Sequence, residues 1–342
     1  MKKTKQYISL LLAAFMAAGL SSCIKEDYAG ASDETATVNL VFDTRADNDG
    51  DGLDDDALPG EGIKTLRVII VDTDNNRVDV NELRDFSGET PQPVLQKTLT
   101  IMGLPVGNKD FYVIANEASV GLSGLDTPRP GYSFDEAEKS ALLSTLINDE
   151  QRTYFPSTDT EIEENGLPIA GTVSAEITGA EDQTIEIPIT RAVAKMELTL
   201  TNDTGDDFEL NQVTLGRFFA NSTYLFPQET ELALPDGVAY GDHTFSTNNA
   251  TLSDGESQTF HFYFYESNAG EGAYTIALND GADYAAAPIM LNEDTPLTSV
   301  ARNTCLRVTG TIESVLEPVL TNLQIRVMPW DEKTDITIPP FE

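Results

Sequence analysis

Apolar and polar residues alternate with a period of two through much of this chain. In residues 35–44, Val38, Leu40 and Phe42 fall between Thr37, Asn39, Val41 and Asp43, the pattern of a half-buried strand with one apolar face. Residues 63–71 form the most hydrophobic strand segment, and a turn at Asp74, Asn75 and Asn76 leads into 77–80. Residues 95–102, 111–115 and 184–189 read as further strands. After Arg191 the pattern starts afresh with strands at 192–200, 213–219, 260–265, 274–278, 306–312 and 323–327. In 260–265, Phe260, Phe262 and Phe264 alternate with His261, Tyr263 and Tyr265, which predicts one buried and one amphipathic face. One helix is expected: Ser133 and Glu136 have capping-box spacing, and Leu142, Leu143, Leu146 and Ile147 form a stripe that would pack on a sheet. Pro168 and Gly171 read as punctuation. Short strands about ten residues apart, separated by turn residues, indicate Greek-key β-sandwiches. The fresh start near residue 190 divides the chain into 46–190 and 191–342, and no repeat with a period of about 20 to 50 residues is visible.

Composition adds a compartment and some exclusions. Of 342 residues, 57 are acidic and 21 basic, a net charge of −36, so a groove tracking nucleic-acid phosphates is excluded. Hydrophobic residues at 40% are enough for ordinary cores. Residues 1–22 carry Lys2, Lys3 and Lys5, then an apolar run from Ile8 to Leu20, the layout of a secretory signal peptide. The run is too short for a convincing membrane span. It ends in Leu20-Ser21-Ser22-Cys23, which resembles a bacterial lipobox, with Cys23 as the acylated residue. Lys25-Glu26-Asp27 resembles a surface-export signal of lipoproteins, which would place the protein on the outer leaflet of the outer membrane. Cys305 is then left without an intramolecular disulfide partner and reads as a small buried strand residue.

Candidate chemistry is sparse. His243 and His261 are the only histidines and show no metal-ligand spacing, and no glycine-rich phosphate loop follows a strand. Carboxylates are too abundant for any pair to indicate glycoside hydrolysis. An enzyme is not expected. Residues 43–56 hold seven aspartates with Gly50 and Gly52 and a single base, Arg45. Asp47, Asp49, Asp51 and Asp55 resemble the alternate carboxylates of a calcium loop. Leu58 stands where the bidentate glutamate would be, and a solvated acidic linker is the competing reading. Arg45 is a ready site for a trypsin-like protease. Cutting there would detach the lipid and the 35–44 strand, leaving a hydrophobic groove and an unpaired edge. Residues 335–341 alternate in a similar way and are a candidate donor for that groove.

Several motifs occur in a telling order. They are the lipobox, the alternating strand followed by Arg45, the apolar run from Ile63 to Val71, Val113-Ile114-Ala115-Asn116-Glu117, Leu167-Pro168-Ile169-Ala170-Gly171, Arg191-Ala192-Val193-Ala194-Lys195, Arg302-Asn303-Thr304 and Val327-Met328-Pro329-Trp330. In this order they resemble the fimbrillin family, the fimbrial subunits of Bacteroidales. The resemblance implies a mostly β protein with two transthyretin-like Greek-key sandwich domains and few short helices. It implies a signal peptide at 1–22, a lipidated propeptide at 23–45, domains at 46–190 and 191–342, and an outer-membrane lipoprotein. It also implies cleavage after Arg45 and strand exchange with other fimbrial subunits into an adhesive fimbrium. The aspartate-rich stretch departs from the family pattern.

The leading functional reading is a polymerising stalk pilin; the alternatives are an uncleaved lipid-anchored anchor or accessory subunit, and a monomeric glycan-binding lipoprotein using the aromatic strand near Phe262 as a stacking platform. No bound cofactor is expected beyond weak calcium, and the host or bacterial receptor is open. Loss of the signal peptide takes the charge to −39, and loss of 23–45 returns it to −36. Subunits so charged repel, so their assembly should hold or strengthen with added salt. For calcium, titration calorimetry decides: heat that disappears in Asp49→Ala plus Asp51→Ala supports the loop, and equal heats in both proteins dismiss it.

Overall fold

A computed structural model describes residues 34–44, 57–89, 93–148, 157–180, 183–230, 232–268, 270, 272, 274–279, 286–292, 295–313 and 320–330. All of these lie in one compact unit, Glu34–Glu342. The protein is mostly β. The first half contributes β1 (Thr35–Asp43), β2 (Thr65–Asp72), β3 (Arg77–Asp85), β4 (Gln96–Pro105), β5 (Gly107–Ala115), β6 (Leu146–Asn148), β7 (Ser157–Thr158), β8 (Ile169–Ile177), β9 (Gln183–Pro188) and β10 (Thr190–Arg191). Two sheets, in the orders β4-β1-β9 and β10-β8-β5-β2-β3, face each other across a core that includes Val38, Leu40, Phe42, Val68, Ile70, Phe111, Val113 and Ile187.

The second half contributes β11 (Val193–Asn202), β12 (Phe208–Ala220), β13 (Ser222–Tyr224), β14 (Tyr240–Leu252), β15 (Ser257–Tyr265), β16 (Ser267–Asn268), β17 (Thr275–Asn279), β18 (Ala287–Pro288), β19 (Met290–Asn292), β20 (Thr295–Pro296), β21 (Ser299–Val300), β22 (Thr304–Ile312) and β23 (Leu320–Pro329). Its sheets run β23-β22-β11-β15-β7 and β14-β12-β17-β18 and enclose Met196, Leu198, Leu200, Phe218, Phe262, Phe264, Leu306 and Val308. A third apolar cluster joins the halves. It packs Ile69, Tyr112, Ile114, Ile147 and Leu167 against Val193, Leu225, Phe226, Tyr263, Tyr265 and Trp330. The chain also crosses between the halves, because β6 pairs with β13 and β7 extends the sheet of β15.

Most expected strands are present. The hairpin turn between β2 and β3 is built by the Asp72 side chain, which accepts from the amides of Asp74 and Asn75, and by Asn76 at φ 54°. The helix differs from expectation. It spans Glu136–Leu143, and its cap is Asp135, whose carboxylate accepts from the Ala137 and Glu138 amides. Asp135 stands closer to the helical run than Ser133 and is at least as good an acceptor there. Leu142 and Leu143 pack on the joining cluster, but Leu146 and Ile147 belong to β6. Pro168 and Gly171, expected to interrupt, instead precede and enter β8, which begins at Ile169. Gly171 is required there because a Cβ would lie 2.0 Å from the carbonyl oxygen of Pro188, which no side chain tolerates.

The segment carrying β7 and the short helix Asp159–Ile162 docks on the second half partly through His261, whose Nδ1 is 3.6 Å from the Asp159 carboxylate. The nearby His261 imidazole is the main reason the Asp159 carboxyl lies below its ordinary value, outweighing its partial burial. A carboxyl lowered on folding adds stability above its unfolded pKa and loses it as pH falls through the folded value. Asp159→Asn should therefore be less stable than the parent at about pH 6, with a gap that narrows below about pH 4. Urea melts at the two pH values check this, and an unchanged gap contradicts it.

Candidate functional site

β1 lies in the middle of its sheet. It pairs antiparallel with β4, from Thr35 opposite Pro105 to Asp43 opposite Gln96, and parallel with β9, from Val38 opposite Gln183 to Asp43 opposite Pro188. Val38, Leu40 and Phe42 are fully buried while Thr35 and Thr37 are exposed, as the alternation predicted. Removing β1 would therefore uncover two facing edges, one on each side, rather than one. Adjacent strands are about 4.8 Å apart, so the slot would be roughly 9.6 Å across. Such a slot fits one strand, which must place apolar residues at alternate positions.

The end of β1 has several partners. The Thr44 amide and hydroxyl both donate to the carbonyl oxygen of Leu95, at 3.2 and 3.3 Å. Arg191, fully buried where the two halves meet, donates from Nη1 to the Thr44 carbonyl at 3.4 Å and from Nη2 to its hydroxyl at 3.3 Å. Nη1 also donates to Asn303 Oδ1 at 3.2 Å. The guanidinium carbon sits 4.6 Å from the centre of the Trp330 ring, a cation–π contact. Trp330 in turn stacks on Tyr263 and donates its amide to the Asn303 carbonyl.

Beside Arg191 lies a buried charge cluster. Lys195 reaches Glu61 at 2.8 Å and Glu197 at 3.0 Å, Tyr263 donates its hydroxyl to Glu61 at 2.7 Å, and Arg307 pairs with Glu197 at 2.8 Å. Burial alone would lower the Lys195 pKa, but Glu61 and Glu197 outweigh it and the net shift is upward. Burial would likewise raise Glu197, yet Lys195 and Arg307 bring it below its ordinary value. Burial, with the negative charge of Glu61, pushes the Tyr263 hydroxyl well up. The Lys195 and Glu197 shifts both favour the charged forms, so the ion pairs join Glu61 of the first half to the second half as a clamp.

The expected site residues fall unevenly on this arrangement. Cys23, Arg45, Asp47, Asp49, Asp51, Asp55 and the donor segment 335–341 lie outside the described residues. Among the described residues no group of carboxylates, histidines and cysteines could hold a metal ion. Cys305 is buried, as expected, and burial pushes its thiol up to about 12. His243 packs edge-on against Phe245 and Phe219.

The aromatic strand requires a correction. Both faces of its C-terminal part are buried: Phe262 and Phe264 enter the second-half core, and Tyr263 and Tyr265 enter the cluster between the halves. The hydroxyl face is polar because it meets Glu61 and other groups inside the junction, not because it meets solvent. A glycan-stacking platform at this strand is thereby removed. Sequence reasoning did not assign roles to Glu61, Arg191, Lys195, Asn303 or Trp330. A signal was present for four of them, since three separate motifs of the chain converge here.

The model of a family described as fimbrillin-A associated anchor proteins Mfa1 and Mfa2 matches residues 31–335. In fold, the chain is similar to the tip fimbrial protein Mfa3 from Porphyromonas gingivalis with C-terminal truncation, at 15% identity and a TM-score of 0.54, covering 85% of this chain and 98% of that one. It is also similar to a fimbrial assembly protein from Parabacteroides distasonis, at 14% identity and a TM-score of 0.50, covering 90% and 100%. No curated protein matches it in sequence.

Lys195→Met would leave the carboxylate of Glu61, which is 1% exposed, without its cation. The expected cost is about 3–5 kcal/mol, whereas adding Glu61→Gln should recover a large part of it. Denaturant titrations followed by the fluorescence of Trp330, the sole tryptophan, measure both. Additive losses contradict the clamp.

Proposed function

Because the chain belongs to the family of fimbrillin-A associated anchor proteins, we propose that it is a non-enzymatic accessory subunit of a surface fimbrium, held in the outer membrane by a lipid on Cys23. In this reading its two sandwiches, 46–190 with β1 retained as the central strand of its smaller sheet and 191–342, assemble with other fimbrial subunits through strand pairing. The observation that carries the reading is the hold on Thr44. A protease cutting after Arg45 must draw the preceding residues, extended, into its own groove. Those residues are the paired end of β1 and Thr44, whose amide, hydroxyl and carbonyl all have partners inside the protein. Proteolysis favours segments whose backbone is free to leave, so this bond resists cutting until the strand end opens.

A second reading rests on β1 itself. Its central place makes a ready-made slot for a donated strand, which suits a cleaved stalk pilin. Limited trypsin treatment of the chain lacking residues 1–22, with N-terminal sequencing and electron microscopy, separates the two. The accessory reading expects most of the protein to keep β1 and stay unpolymerised at trypsin levels that trim exposed loops. Rapid conversion to a chain starting at Ala46 that forms filaments, and that fails to do so when 336–342 are deleted, would replace it with the stalk reading.

A further inference from the structure

We propose that Arg191 couples the C-terminal end of β1 to the C-terminal end of β23, so that loosening either strand end loosens the other. This is a conformational linkage within one subunit and stands whether or not the chain is cut after Arg45.

The two strand ends belong to different halves and different sheets, yet one side chain serves both. Arg191 gives hydrogen bonds to the Thr44 carbonyl and hydroxyl at the exit of β1, and its planar face rests on Trp330 just after β23. Asn303 completes the connection. Its side chain accepts from Arg191, its carbonyl accepts from the Trp330 amide, and its own amide donates to Val193 beside Arg191. The guanidinium is fully buried, so water cannot take the place of the Thr44 acceptors without the site opening. When the β1 end departs, the guanidinium must turn to find other acceptors, and turning lifts it from the indole face. When Trp330 departs, the guanidinium loses the ring that fixes its plane, and its bonds to Thr44, already long at 3.3 and 3.4 Å, lose their alignment. Coupling between two such equilibria is reciprocal by linkage.

The consequence is that a force or partner acting at the membrane-proximal strand is felt at the end of the last described strand. Simple adjacency would not do this, because among the described residues β1 and β23 share no ladder: β1 pairs with β4 and β9, and β23 with β22.

The test uses the full chain and its sole tryptophan. Thr44→Val removes the hydroxyl that Arg191 Nη2 uses while preserving side-chain shape, and acrylamide quenching then reads Trp330. In the other direction, Trp330→Leu is followed by amide hydrogen exchange, comparing residues 41–44 with the central strand β5. The proposal expects quenching of Trp330 to rise about twofold in Thr44→Val, and exchange at 41–44 to rise about tenfold more than in β5 in Trp330→Leu. Unchanged quenching in the first variant, or an equal rise at 41–44 and β5 in the second, overturns it. The equal rise is the signature of general destabilisation, so a variant that is merely less stable counts against the coupling.

Discussion

The arrangement depends on β1 occupying the centre of a three-stranded sheet. With β4 on one side and β9 on the other, β1 satisfies two ladders and places Val38, Leu40 and Phe42 in the core of the first half. An edge strand could be lost while its neighbour kept a partner on the far side. Loss of this one divides its sheet and opens the core between the sheets at the same time. β1 is therefore part of the fold, and any mechanism of assembly that replaces it must supply an equivalent strand.

The second half repeats the arrangement. β11 also lies between an antiparallel neighbour, β15, and a parallel one, β22. Between the halves lies a junction of mixed character, in which Tyr263, Tyr265 and Trp330 cover apolar area and the Glu61, Lys195 and Glu197 cluster fixes the alignment. Buried ion pairs add little net stability but penalise any arrangement that separates them. The strands β6 and β7 that cross from one half to the other act in the same direction. Together they make a junction that resists bending between the halves.

The sequence made the amphipathic strands legible, because one buried face leaves a period-two pattern such as Val38, Leu40 and Phe42. It did not reveal β14, whose long polar edge, with Asn248 and Asn249 at positive φ, carries no such pattern. β8 was hidden by Pro168 and Gly171, whose requirement is a close approach to Pro188 that only the folded chain displays. The fimbrillin resemblance was legible as an order of motifs, but the motifs gave no geometry. Glu61 and Tyr263 are 202 residues apart, and nothing local marks them as partners. The same long range explains why the Tyr263 face, read from one strand, suggested solvent and a glycan, while its neighbours in space make it an interior surface.

Retention of β1 by the subunit that carries it is the proposal on which the functional reading turns. It is tested most directly by intact-mass and N-terminal analysis of the protein recovered from the outer membrane of the cells that make it. The account predicts a chain that begins at an acylated Cys23 and retains Thr35–Asp43. A chain that begins at Ala46, found in filaments and free of lipid, would contradict it.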